Sequence, residues 1–357
     1  DNSAGGGTQW ADGTVRVTQA RWGLIWDHGD GVYKTDADLD IGDGSTSTYL
    51  TSTVENVIFV GAAVVEVHAA ATLQIGALTD SWGVDGSSWH LGGPDAGSEQ
   101  WGKGGTVLVY ASKIYNAVKC EQRLQVGVFK TKNSIFHATW TAALNDWQRR
   151  FNYGPSLTTL EIEDMYIAKS QNTIFEDVPG VIDNIQSHAG RFGVQTTQPS
   201  VEVTGIRVTS ANVNDVRVWT AGPAADLTLT DPKATTANPD VAGNAASFIQ
   251  EQYTCNIHVA DRAGNNLATV NIGCDSDGEG DVFDVNTDAN GDIAEQKVPF
   301  KKWVGESETL TSFSPHTFTI SKAGYETLIL EVITVDHPIV WHLELQRSAS
   351  LNSGLIG

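Results

Sequence analysis

The chain has 357 residues, with 43 Asp and Glu against 22 Lys and Arg and a net charge of −21. That balance speaks against binding a nucleic-acid backbone or an anionic membrane surface, both of which call for basic patches. A hydrophobic share of 40% is too high for wholesale disorder. Length predicts two domains, or three. The 36 Gly, set among many Thr, Ser, Asn and Asp, suit short strands joined by turns. No apolar run reaches the roughly 18 residues of a spanning helix, so no membrane insertion is expected. The chain begins at Asp1 without a signal-like apolar segment and reads as a mature or trimmed form.

Residues 1–20 open on a Gly-rich stretch and are expected to be a flexible lead-in. Residues 21–230 then show short strand-like runs with turns between them: Val57–Val60, Ala63–Val67, Thr72–Ile75, Thr106–Tyr110, Leu124–Phe129, Leu160–Ile167, Thr173–Phe175, Val181–Ile185, Phe192–Val194, Val201–Val208, Val213–Val218 and Leu227–Leu229. That spacing fits a sandwich or barrel, or a parallel solenoid. The runs are very short, connections vary in length and tight Asn-Gly turns are missing, which favours the solenoid. Its texture resembles the right-handed parallel β-helices of phage tailspikes and other virion proteins, and of polysaccharide lyases.

Three features interrupt the β pattern. In Asp36–Gly44 the alternating Asp36, Asp38 and Asp40 project to one face if extended, as a cation site would need, or cap a turn. Trp82, Trp89 and Trp101 lie in a Gly-rich stretch near Asp80, Asp85 and His90. Aromatic faces beside carboxylates are how proteins grip sugars, so these Trp are the candidate glycan-binding residues; the plainer alternative is that they form the private core of a long loop. Trp140, Leu144, Trp147 and Phe151 recur at helical spacing and predict one packing helix, stopped by Gly154-Pro155. Residues 231–247 read as a Pro, Ala and Thr linker.

Residues 248–346 read as a small β domain. Cys255–Ala260 alternates as a strand, Asp261–Asn265 is a turn, and Leu267–Ile272 is a second strand. Asp288–Gly291 is a tight hairpin turn, and Thr317–Leu328 and Val340–Leu345 close the sheet. This grammar resembles the carboxypeptidase regulatory-like, transthyretin-like β-sandwich, and the resemblance implies an accessory module that packs, spaces and displays without catalysing. Cys255 and Cys274 flank the first hairpin; a cross-strand disulfide and two free thiols are both open. Cys120 reads as a small buried hydrophobe. Residues 347–357 are a Ser, Leu and Gly tail.

Asp275, Asp277 and Glu279, with Gly280 next, repeat the alternating oxygens and the glycine of a calcium loop. Its twelfth position is Asn286 rather than Glu and its flanks are strand-like, so an EF-hand is not expected. A non-helical calcium site of Asp275, Asp277, Glu279 and Asp281 is the candidate metal site, against a solvated acidic loop. No cofactor is expected unless calcium occupies this loop. Neither a Gly-x-Ser-x-Gly elbow, a P-loop, a His-Glu-x-x-His nor a Cys-x-x-Cys occurs, and no catalytic residue is assigned.

Taken together, these residues predict an all-β chain, a right-handed parallel β-helix followed by a transthyretin-like β-sandwich. The expected function is a non-catalytic virion structural or display protein of a bacteriophage-like virus: a capsid decoration, fibre or tail component. Its partners would be its own copies in a homotrimer, other virion proteins and a host-surface glycan, on the virion surface or in the extracellular space. The alternative is a secreted carbohydrate-binding or polysaccharide-degrading β-helix protein.

Overall fold

The computed structural model describes residues 7–10, 13–16, 26–27, 32–35, 39–42, 45, 47–52, 56–59, 65–77, 88–91, 98–100, 102–116, 121–137, 151–169, 173–175, 180–188, 192–197, 201–209, 211, 214–233, 238–277 and 279–348. Among them there is no helix: the protein is all-β. Of the expected helix, Trp140, Leu144 and Trp147 lie outside the described residues, and Phe151 opens the strand Phe151–Ala168. The chain divides into two compact units. The first holds nearly all of residues 1–249 with 304–308; the second holds residues 229–232, 250–303 and 309–357.

In the first unit, strands distant in sequence pair in parallel. Val32–Thr35, Asn56–Phe59, Ser88–Leu91, Lys113–Asn116, Glu121–His137, Phe151–Ala168, Gly180–His188 and Arg207–Thr209 follow one another in one ladder. Thr48–Ser52, Ala71–Ile75 and Thr106–Tyr110 lead into the earlier parts of the same three long strands. A third ladder runs through Thr173–Phe175, Phe192–Thr196, Asn214–Trp219 and Pro239–Ala242. Pairing is mixed overall, because Trp26–Asp27 meets Val32–Thr35 antiparallel. Two stretches that composition marks as unstructured carry strands. Gly7–Trp10 pairs antiparallel with Gly13–Arg16 inside the lead-in of residues 1–20, and Pro239–Ala242 lies inside the linker of residues 231–247. In the second, Val241 is buried and is a residue of high strand propensity.

The register stacks like on like. Leu73, Val107, Phe129 and Leu160 are successive partners, and all are buried. Ile75, Val109, Thr131, Ile162 and Ile182 form the next column. Ile114, Phe136, Ile167 and Ser187 form another. Alternation sends every second side chain inward, and each buried Leu, Ile or Phe contributes about 1.5–3 kcal/mol. Thr131 is the misfit: its hydroxyl is buried with no hydrogen-bond partner among the described residues, between Val109 and Ile162. Thr131→Val keeps the shape and removes an unpaired polar group, and should raise stability by about 1 kcal/mol. A lowered urea midpoint for the variant would contradict that.

One corner repeats from strand to strand. Ala111, Asn133, Asp164, Asn184 and Gly205 have φ of 45, 53, 51, 51 and 62°, and each sits at the matching place between paired residues of adjacent strands. A left-handed residue between two extended segments turns the chain once. Asn, Asp and Gly tolerate that conformation best, and other residues lose about 1–2 kcal/mol there. The Asn184 amide donates to Asp164, and the Lys233 ammonium donates to Asn184, so polar side chains join this column.

In the second unit, an antiparallel sheet runs Gly280–Asn286, Asn271–Ser276, His316–Ser321, Leu328–Ile333. A second pair joins Phe248–Asp261, from Cys255 onward, with Ile339–Leu345 in parallel. Cys255, Ile257, Val259, Ile339 and Leu345 from this pair share one core with Ile272, Cys274, Phe318 and Ile320 from the sheet. The expected turn at Asp261–Asn265 is present: the Asp261 carboxylate accepts from the Ala263 and Asn265 amides at 2.9 Å each. The turn at Asp288–Gly291 is also present, with Gly291 donating to the Asp288 carbonyl at 3.1 Å. It does not close a hairpin. Thr287 donates to Val270 and Ile293 to Ile257, so the chain leaves one group of strands there and joins the other.

Three expectations need correction. Leu267–Ile272 is not one strand. Leu267 donates to the Val259 carbonyl at 3.0 Å, Thr269 then takes a φ of 55°, and the strand proper starts at Asn271 in the antiparallel sheet. Cys255 and Cys274 are therefore not hairpin partners. They stand in different strand groups as buried free thiols, and burial pushes both pKa values up to about 12. The acidic stretch is not all solvated loop: Gly280–Asn286 within it is a strand, and its Val282, Phe283 and Val285 pack against the core between the acids.

Candidate functional site

The four candidate calcium residues come together at the tip of one hairpin. Asp275 and Asp281 are direct partners across the Asn271–Ser276 and Gly280–Asn286 strands, at a register shift. Asp277 and Glu279 occupy the turn, and the Asp277 amide donates to the Pro315 carbonyl at 3.2 Å. The alternating-oxygen pattern thus becomes a facing pair plus a tip. The Asp275 carboxyl is held above the usual carboxylate range, chiefly because it shares a hydrogen bond with the Asp281 carboxyl. Among the described residues no group of three or more His, Cys, Asp or Glu side chains is arranged to hold a metal ion. Of the other acidic candidates, Asp40 lies in the strand Leu39–Ile41, while Asp36 and Asp38 are outside the described residues. So are Trp82, Trp101 and Cys120. Trp89 belongs to the strand Ser88–Leu91, where only the backbone is described.

A group that sequence reasoning did not assemble lies on the outward side of the first unit's parallel strands. Lys130 pairs with Glu161 at 2.7 Å and Lys132 with Glu163 at 3.0 Å, each with its register partner. The next strand places Asp183 beside Glu163. Burial raises the Asp183 carboxyl above its ordinary value, Asp164 and Glu163 add to this, and the Asn184 amide and Lys233 oppose it. The Lys130 ammonium is raised by its hydrogen bond to Glu161. Upstream on this side, Tyr110 is the partner of Lys132, and the Tyr49 hydroxyl donates to Gln74 at 2.5 Å. A signal was present in the sequence: Glu163-Asp164 and Asp183-Asn184 are both an acid followed by the left-handed corner residue, which aligns the two strands.

His316 is fully buried in the second unit, with Nδ1 3.4 Å from the Ser314 hydroxyl. Burial holds its pKa below the ordinary 6.5, against backbone carbonyl contacts and Asp277. The imidazole is therefore neutral in the fold. As pH falls below 6.5 the unfolded chain takes up the proton first, so stability present above that pH drains away on acidification. The melting temperature should fall between about pH 7 and 5 in the native chain, and less steeply in His316→Gln. Equal slopes in the two proteins would rule out this assignment.

No protein-family model, curated protein or solved structure matches the chain.

Proposed function

We propose that this chain is a non-catalytic structural or display protein of a bacteriophage-like virion. Its first unit is read as a right-handed parallel β-helix and its second as a transthyretin-like β-sandwich. The observation that carries this reading is the succession of parallel pairings with buried columns and one repeated left-handed corner. A stack of this kind is built as a rigid spacer: each coil rests on the last and cannot bury its own face alone. Strand edges at the ends of such a stack have to be covered or shared, and self-association as a trimer on the virion or in the extracellular space meets that need. Other virion proteins and a host-surface glycan, gripped by Trp82, Trp89 and Trp101, are the partners this reading supplies. Calcium closing Asp277 and Glu279 onto the Asp275–Asp281 pair would rigidify the second unit.

Light scattering tests the assembly. A mass three times the 38.2 kDa chain at micromolar concentration supports the reading, and a monomer counts against it. Calcium should raise the melting temperature of the native chain and not that of Asp281→Asn.

A second reading, a polysaccharide-degrading protein, is favoured by one observation: Glu163 and Asp183 are neighbours, one paired with Lys132 and the other with its carboxyl raised above the ordinary range by burial. Glycosidases work with two carboxyl groups set a few ångströms apart across the scissile bond. Reducing-sugar release from bacterial capsules, lost in both Glu163→Gln and Asp183→Asn, would replace the structural reading with this one.

A further inference from the structure

We propose that the second unit carries a binding site for a borderline transition metal such as zinc, made by His258 and His342 and oriented by Asp292. His258 and His342 are direct partners on the parallel strands Phe248–Asp261 and Ile339–Leu345. Their ring centres lie 5.4 Å apart with the planes at 52°. Two imidazoles on one tetrahedral zinc, each nitrogen about 2.0–2.1 Å from the metal, have ring centres roughly 5 Å apart. The spacing is compatible with a shared ion.

His258 Nδ1 is 2.8 Å from Asp292 Oδ1. A carboxylate accepting the Nδ1 proton fixes the tautomer and leaves Nε2 as the free lone pair, which is how metal-ligating histidines are supported. Asp292 is itself fixed. Its amide donates to the Asp288 carboxylate at 3.0 Å, and His258 and Asp292 form an isolated antiparallel bridge. Gly291, with a φ of 84°, lets the ring lie close: a Cβ there would stand 3.3 Å from His258 Cε1 and 2.5 Å from the Val259 carbonyl oxygen. His342 is exposed, so the pair opens to solvent. With two protein ligands, water completes the coordination. Imidazole donors select zinc, copper or nickel over calcium, so this site is chemically separate from the acidic hairpin tip.

The test is zinc titration of the full chain by calorimetry with calcium in excess. One saturable zinc per chain is expected. His342→Ala should weaken it at least tenfold while leaving the metal-free melting temperature unchanged. Asp292→Asn should weaken it about 10- to 100-fold, and Asp292→Glu should restore part of the loss, which a merely structural role would not produce. Absence of saturable binding at millimolar zinc overturns the proposal, and so does zinc binding that His342→Ala leaves intact.

Discussion

Phe318→Ala is expected to cost the second unit about 3–5 kcal/mol, the range for truncating a fully buried aromatic. Phe318 has no exposed surface. It meets Trp341 edge-on with ring centres 4.9 Å apart, and Phe283 at 6.3 Å. Those two rings come from different strand groups, so the cavity would open where the groups share their core. Collapse around it is limited, because the neighbours belong to strands fixed by their own ladders. Denaturant unfolding followed by circular dichroism checks this. A midpoint unchanged from the native chain would mean that the ring is not the hub of that core.

A second large effect should depend on parity alone. Ile162 is buried and Val181 is 55% exposed, yet the two are close in the ladder, since Ile162 is the partner of Ile182, the residue after Val181. Ile162→Asp puts an unpaired carboxylate into an aliphatic column and should cost several kcal/mol, enough to unfold the first unit. Val181→Asp makes the same chemical change on the outward side and should stay within about 0.5 kcal/mol. Comparable losses in the two variants would mean that the inward and outward assignments are wrong.

Strand positions in the first unit were legible because buried strands advertise themselves as short Val, Ile and Leu runs. Thr106–Tyr110 and Thr173–Phe175 appear in the structure with the bounds the sequence suggests. Strand partners were not legible. Pairing Phe129 with Leu160 depends on where the chain returns, and nothing local in either run encodes that. In the second unit, turn chemistry was readable at Asp261 and Asp288, where a carboxylate bonds amides two and four residues on. What lies beyond a turn was not readable: the same local geometry serves a hairpin or a crossing between strand groups. The calcium candidates were found by spacing, and the structure brings Asp275 and Asp281 face to face. The Lys130–Glu161, Lys132–Glu163 and Asp183 group was hidden because its members come from three strands. Only the recurrent acid-then-corner dipeptide hinted at their register.

The recurring left-handed corner separates two kinds of sequence change. Phe129 and Leu160 pair as directly as Val107 and Phe129 do, although more chain intervenes. The length of a connection is thus free, while the phase of inward and outward residues around the corner is not. A foreign segment spliced between one strand and the next would leave the columns intact. One extra residue between Asp164 and Met165 would turn Met165 and Ile167 outward and bring Tyr166 into their place. Insertions of many residues should therefore be tolerated where an insertion of one is not, and the border between the two outcomes should trace the corner itself.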